Sequence, residues 1–373
     1  MKNFKELGIH NDFIKGLNDL NIITPTEIQR EVIPLLLDTN TDLVGQAQTG
    51  TGKTAAYGLP LLQKINPKLK VIQGLILCPT RELGQQVAKQ LFKFTKYSDK
   101  IFTEAVYGGE KIELQINALK RPTHIVVATP GRLIDLVRRK AIDIRQVKTV
   151  ILDEADEMLS MGFKNELDEI LSFLSKVENK WLFSATMPHG IKQIVNEHMS
   201  VNARRITINS KDVVNKNIAH QFLICDENDK LQILLDFLKS EPKSRGIVFC
   251  KTKAATQKLC KQLIAKNILA DGLHGDLMQK ERDKAMRAFK KGTLQIIVAT
   301  DIAARGIDVK DLAFVVHYQL PNQEEYYTHR SGRTARAGKE GVSLCLVTTQ
   351  EMKQIRFLEK NLNISFKQIR QVK

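Results

Sequence analysis

The sequence predicts an α/β protein made of two tandem domains, each a mostly parallel sheet flanked by helices. Three observations predict it. Short apolar, β-branched runs recur along the chain and alternate with segments of helical spacing, as parallel strands joined by crossover helices do. The series breaks once, at charged and polar residues around 203–217, and then begins again. Length agrees, since 373 residues suit two domains of ordinary size better than one.

In the first half the strand candidates are 42–44, 74–78, 103–106, 124–128, 147–152 and 181–184. Helical spacing falls between them, at 81–97 and 131–139 among other places. The second half repeats the theme with strands over 246–250, 295–299, 313–318 and 342–347. Its helices are expected over 253–266, 280–290 and 324–331, with a last basic one over 350–361. The expected division is a first domain over 1–203, a linker over 204–216 and a second domain over 217–373. Ligands of such sheets sit beyond the carboxyl ends of the strands.

Composition narrows the class. A chain 43% hydrophobic and 26% charged is a folded soluble protein without a disorder signature. A net charge of +16 points to a polyanionic partner. The five cysteines are odd in number and form no CxxC pair, and Cys78, Cys250 and Cys345 lie in apolar runs. Free thiols in a reducing compartment fit, and a zinc site or disulfide framework does not. The N-terminus lacks a signal-peptide core and no apolar run is long enough to span a bilayer. A cytoplasmic protein without a membrane partner is expected.

Two motifs carry chemistry. Ala47-Gln48-Thr49-Gly50-Thr51-Gly52-Lys53-Thr54 has a strand-like lead-in and a helix-like sequel. Glycines let backbone N–H groups close around phosphate oxygens, Lys53 adds positive charge, and Thr54 offers a hydroxyl to Mg²⁺. Ala47 stands where the commonest form of this loop has glycine. Downstream, Asp153-Glu154-Ala155-Asp156 follows the apolar run Val150-Ile151-Leu152, placing two carboxylates at the end of a buried strand. Asp153 suits a metal, directly or through water, and Glu154 a water-orienting base. The pair implies hydrolysis of a nucleoside triphosphate with Mg²⁺ as cofactor. Only the first domain carries such a loop.

With these motifs come Phe4, Thr24-Pro25-Thr26-Glu27-Ile28-Gln29, Pro79-Thr80-Arg81-Glu82-Leu83, Gly108-Gly109, Thr129-Pro130-Gly131-Arg132 and Ser184-Ala185-Thr186. The second half adds Val248-Phe249-Cys250-Lys251-Thr252, His274-Gly275-Asp276, the run from Ala299 to Asp308, and the run from His329 to Gly338. In this order, over almost the whole length, the chain resembles the DEAD-box RNA helicases. The resemblance implies two RecA-like domains of P-loop NTPase fold, RNA-stimulated ATP hydrolysis, local unwinding of short RNA duplexes or remodelling of RNA–protein complexes, and a monomer.

Residue by residue, it implies that Gln29 reads the adenine edge, with Phe4 packing on the base and Thr24 beside it. It implies that Asp308 meets the ribose and that Arg333 and Arg336 neutralise charge on the γ-phosphate. Asp156, Ser184, Thr186 and His329 are then couplers between nucleotide state and domain closure. RNA contacts, mostly to phosphate and sugar, are implied for Pro79, Thr80, Arg81, Gly109, Thr129, Gly131 and Arg132. In the second domain they fall to Thr252, Gly275, Arg282, Thr300, Asp301 and Arg305. The alternatives are an ATP-gated RNA clamp that seldom unwinds and a DNA-directed helicase of the same superfamily. One departure stands out: Ala335 occupies a position where the family usually has glycine. Because the chain accepts a Cβ there, its backbone is expected in a commonly allowed conformation.

Overall fold

The computed structural model describes residues 2–38, 40–48, 50–174, 176–208, 217–242, 244–304, 312–335 and 339–369. Thr49, Arg305, Asp308 and Arg336 lie outside these, as do residues 209–216 of the expected linker. The chain divides into two compact units, Met1–Ile208 and Asn209–Lys373.

In the first unit, β1 (Leu43–Gln46), β2 (Gly74–Leu77), β3 (Thr103–Val106) and β4 (Ile125–Ala128) are joined by β5 (Thr149–Leu152), β6 (Asn179–Ser184) and β7 (Arg204–Thr207). They form one sheet in the order β3-β4-β2-β5-β6-β1-β7, and each neighbouring pair is parallel. Successive side chains of a strand point to opposite faces, and helices cover both. Thus Ile151 enters one apolar cluster, with Ile76, Trp181 and Phe183. Val150 and Leu152 enter another, with Leu75, Leu77 and Leu182.

The second unit holds β8 (Ile218–Ile224), β9 (Gly246–Phe249), β10 (Ala270–Leu273), β11 (Ile296–Ala299), β12 (Phe314–His317), β13 (Gly341–Val347) and β14 (Lys367–Gln368). Their order is β10-β11-β9-β12-β13-β8-β14, again parallel throughout. Counted from its own first strand, this is the order of the first sheet, so the two units are topological copies.

The boundary needs one correction. Residues 204–207, read as linker, form β7 and pair with β1 through Leu43↔Arg204 and Gly45↔Ile206. Arg204, Arg205 and Thr207 are exposed, so this edge strand is blunted by charge and lacks the apolar run that marks a buried one. Cys78, Cys250, Cys260 and Cys345 are buried free thiols and Cys225 is half-buried. No helix among the described residues is long and apolar enough to cross a membrane.

Candidate active site

The loops that follow β1, β5 and β6 meet at one end of the first sheet, because β5, β6 and β1 are consecutive in it. After β1 the chain turns through Gly50 (φ 81°) and Gly52 (φ 92°) into the helix Lys53–Lys64. Gly52 is required twice over: its φ is left-handed, and a Cβ there would lie 2.4 Å from Gln29 Nε2. The helix N-terminus behind it presents free N–H groups and a positive dipole end, a natural seat for phosphate. Lys53 is 7% exposed, and its Nζ donates to the carbonyls of Ala47 (2.8 Å) and Gln48 (3.3 Å).

Gln29 is tied into this loop. Its Nε2 donates to the Gly52 carbonyl (3.0 Å) and its Oε1 accepts from Thr26 N–H (2.9 Å). A carboxamide has two N–H groups and two lone pairs, so one of each remains for a base edge. Thr24 is exposed nearby in sequence. Phe4 corrects its expectation: only 2% exposed, it packs in the first apolar cluster and offers no open face to a base.

Asp153 and Glu154 follow β5. Asp153 is 3% exposed. Its Oδ2 accepts from the Tyr57 hydroxyl at 2.7 Å. Its Oδ1 is buried and has no hydrogen-bond partner among the described residues. Burial raises its pKa, opposed chiefly by the Lys53 charge and the Tyr57 hydrogen bond. An orphaned carboxylate oxygen in a buried site fits a hard cation with oxygen ligands. Thr54, half-buried on the first turn of the helix, fits as a second ligand. Glu154 has φ 52° and ψ 52°, a left-handed conformation costing about 1–2 kcal/mol for a side-chain-bearing residue. Strain of this size persists where surroundings over-determine it, commonly at functional sites.

A short relay connects these loops. Ala47 N–H donates to the Ser184 carbonyl at 3.0 Å. Asp156 N–H donates to Ser184 Oγ (3.3 Å), which donates in turn to the Thr186 carbonyl (2.7 Å). Asp156 Oδ2 accepts from both the N–H and the hydroxyl of Thr186, each at 2.8 Å. The three expected couplers of the first unit therefore form one hydrogen-bonded set that touches the phosphate loop.

The other half of the same sheet end carries the expected RNA residues, after β2, β3 and β4. Thr80 accepts from Leu83 N–H (3.3 Å) and caps the helix Arg81–Phe94. Pro79 before it is buried. The Arg81 guanidinium lies 4.6 Å from the Tyr107 ring centre. Gly109 is exposed with φ 80°. Thr129 precedes the helix Pro130–Arg138, and Gly131 has open space where a Cβ would be. Arg132 donates to the Glu110 carbonyl (2.9 Å) and to Gln115 Oε1 (2.8 Å). Gln115, only 4% exposed, also exchanges two hydrogen bonds with the Tyr107 backbone. It holds the Gly108-Gly109 loop against Arg132. Nothing in its sequence context marks that role.

The second unit repeats this placement. Thr252 follows β9 and caps the helix Lys253–Ala265 by accepting from Ala255 N–H (3.1 Å), as Thr80 does after β2. Gly275 follows β10 with no neighbour to its missing Cβ. Thr300 and Asp301 follow β11, and Arg282 donates to the Ala303 carbonyl at 2.7 Å. Asp301 is engaged within its own unit. Its carboxylate is committed to Arg330 through contacts of 2.5 and 2.8 Å. Arg330 is 1% exposed, and a guanidinium so buried needs a counter-charge.

His329 lies on the helix Glu324–Ser331, and Arg333 just beyond it, its Nε donating to the His329 carbonyl at 3.2 Å. Ala335 contradicts its expectation, since φ is 55° in the left-handed region. Thr334 before it donates its hydroxyl to the Leu312 carbonyl. The alanine methyl is 2% exposed in the apolar cluster with Tyr327 and Cys345. A small side chain, the least a non-glycine residue can carry, is thus buried in a conformation that glycine adopts freely.

Comparison with known proteins agrees with this geometry. Residues 26–194 match the DEAD/DEAH box helicase family and residues 229–338 match the helicase conserved C-terminal domain. The DEAD-box ATP-dependent RNA helicase CshA of Bacillus cereus is 40% identical over 360 residues, 96% of this chain and 68% of that one. The CshA of Geobacillus kaustophilus is 41% identical, over 96% of this chain and 76% of that one. Dbp5 of S. cerevisiae, solved bound to RNA and ADP BeF3, superposes with a TM-score of 0.90 at 29% identity, covering 100% of this chain and 96% of that one.

Proposed function

This chain belongs to the DEAD-box ATP-dependent RNA helicases, and we infer that its first sheet hydrolyses ATP at one half of its carboxyl end and grips RNA at the other. The observation that carries this reading is Asp153, a buried carboxylate with one oxygen unpartnered among the described residues, beside Lys53 and followed by a strained Glu154. ATP phosphates take the backbone N–H groups of residues 50–52 and the Lys53 ammonium, which gives up its bonds to Ala47 and Gln48 to reach them. Thr54 and Asp153 would hold Mg²⁺, which when bound would neutralise phosphate charge. Glu154 orients and deprotonates the attacking water. Arg333 and Arg336 supply the positive charge that the γ-phosphate needs as it leaves, a contribution on the order of 10³–10⁵ in rate in nucleotide hydrolases. Asp308 meets the ribose.

Ser184, Thr186, Asp156 and His329 transmit the presence of nucleotide, since the first three join the phosphate loop in one hydrogen-bonded set. RNA is held through phosphate and sugar by loops after the second, third and fourth strands of each unit. When ATP and RNA each favour the same closed state, each strengthens the other's binding. The protein works as a monomer in the cytoplasm.

Glu154→Gln tests the assignment. The expected outcome is ATP and RNA affinity within a few-fold of the parent and turnover nearly abolished, with a persistent complex holding both ligands. Affinity and turnover falling together would make Glu154 a binding residue instead.

A further inference from the structure

We propose that Tyr57 is a positioning residue for the metal–nucleotide site, its hydroxyl holding the Asp153 carboxylate so that the other oxygen faces the cation. The inference rests on the reading of Asp153 as a magnesium ligand. Tyr57 sits four residues after Lys53 on the helix Lys53–Lys64 and so projects from the same face. Its ring is fully buried, tilted against Phe183 with centroids 5.2 Å apart, and its hydroxyl donates to Asp153 Oδ2 at 2.7 Å. Asp153 Oδ1 is left as the oxygen without a partner among the described residues.

A carboxylate's terminal torsion is broad and two-fold, so at a buried site its donors, the Tyr57 hydroxyl foremost and the Glu154 backbone beside it, decide which way its oxygens point. Groups behind a metal ligand commonly change metal affinity 10–100-fold when removed. A phenylalanine would preserve the packing on Phe183 and remove the hydroxyl that donates to Asp153 and also meets the Thr54 hydroxyl.

The test compares the full-length chain with Tyr57→Phe, Asp153→Asn and the packing control Phe183→Leu. A fluorescent ATP analogue is titrated in EDTA and over a range of Mg²⁺, and thermal midpoints are recorded. Tyr57→Phe is expected to bind the analogue in EDTA as the parent does and to need about tenfold more Mg²⁺ for half of the metal-dependent gain in affinity. Phe183→Leu is expected to lower the midpoint without moving the Mg²⁺ requirement. An unchanged requirement in Tyr57→Phe, whatever its midpoint, overturns the proposal while Asp153→Asn has lost the metal-dependent gain. An equal shift in Phe183→Leu overturns it too, because packing would then be the cause. If Asp153→Asn keeps the full gain, the magnesium reading of Asp153 itself falls.

Discussion

The Gln29 carboxamide donates to the Gly52 carbonyl and accepts from Thr26, so the residue expected to read adenine also braces the turn that binds phosphate. Gln29→Ala should therefore do two things. Losing the brace raises KM for ATP, by about tenfold if one buried hydrogen bond of about 1–1.5 kcal/mol is lost. Losing the base edge narrows the preference for ATP over GTP, because an unpaired buried edge no longer penalises the wrong base. Values of kcat/KM for both nucleotides separate the effects, and an undiminished preference for ATP means that adenine is read elsewhere. Phe4 and Asp301 have surroundings that a sequence does not display. A sequence records that an aromatic or a carboxylate is present, but whether the ring is swallowed by a core or the charge taken by a buried arginine depends on residues far along the chain. Tyr57 was legible only in part, through its spacing from Lys53. Its partner Asp153 lies 96 residues away.

At the scale of elements, the turn after the helix Glu324–Ser331 is the sharpest test of the backbone. Replacing Ala335 by glycine relieves a left-handed conformation worth about 1–2 kcal/mol. It also removes a buried methyl worth about 0.8 kcal/mol and adds unfolded-state freedom worth about 0.4–1 kcal/mol. These nearly cancel, so Ala335→Gly should stay within about 1 kcal/mol of the parent. Ala335→Val should lose about 2 kcal/mol or more, since a β-branched residue tolerates positive φ worst. Urea unfolding distinguishes them, and equal stability of the two variants would contradict the left-handed turn. Strands were legible where they are buried on both faces: 149–152 and 246–249 are unbroken β-branched or apolar runs, buried throughout. Others were hidden by their composition. β8 alternates and contains His220, whose burial depresses its pKa to about 4. β10 includes Asp271 and Gly272, poor strand formers held by pairing with β11. β7 is an exposed, arginine-bearing edge.

For the whole molecule, the repeated strand order gives the second unit the same loop positions as the first but no phosphate loop after its first strand. The same capping threonine follows the second strand of both units, at Thr80 and Thr252. On the proposed reading, nucleic acid is held by backbone contacts from both units, with ATP bound to the first. Backbone contacts without base reading must use the 2′-hydroxyl to tell RNA from DNA. The excess positive charge makes binding salt-dependent, with a log–log slope of roughly −0.7 per phosphate neutralised on single strands. Local, ATP-driven opening of RNA is tested most sharply by strand displacement on RNA duplexes of graded length, with the matching DNA duplexes alongside. Opening of RNA duplexes of about one helical turn with ATP, steep failure as they lengthen, and little activity on DNA is the result predicted. Steady unwinding of duplexes many turns long, or equal activity on DNA, would contradict it.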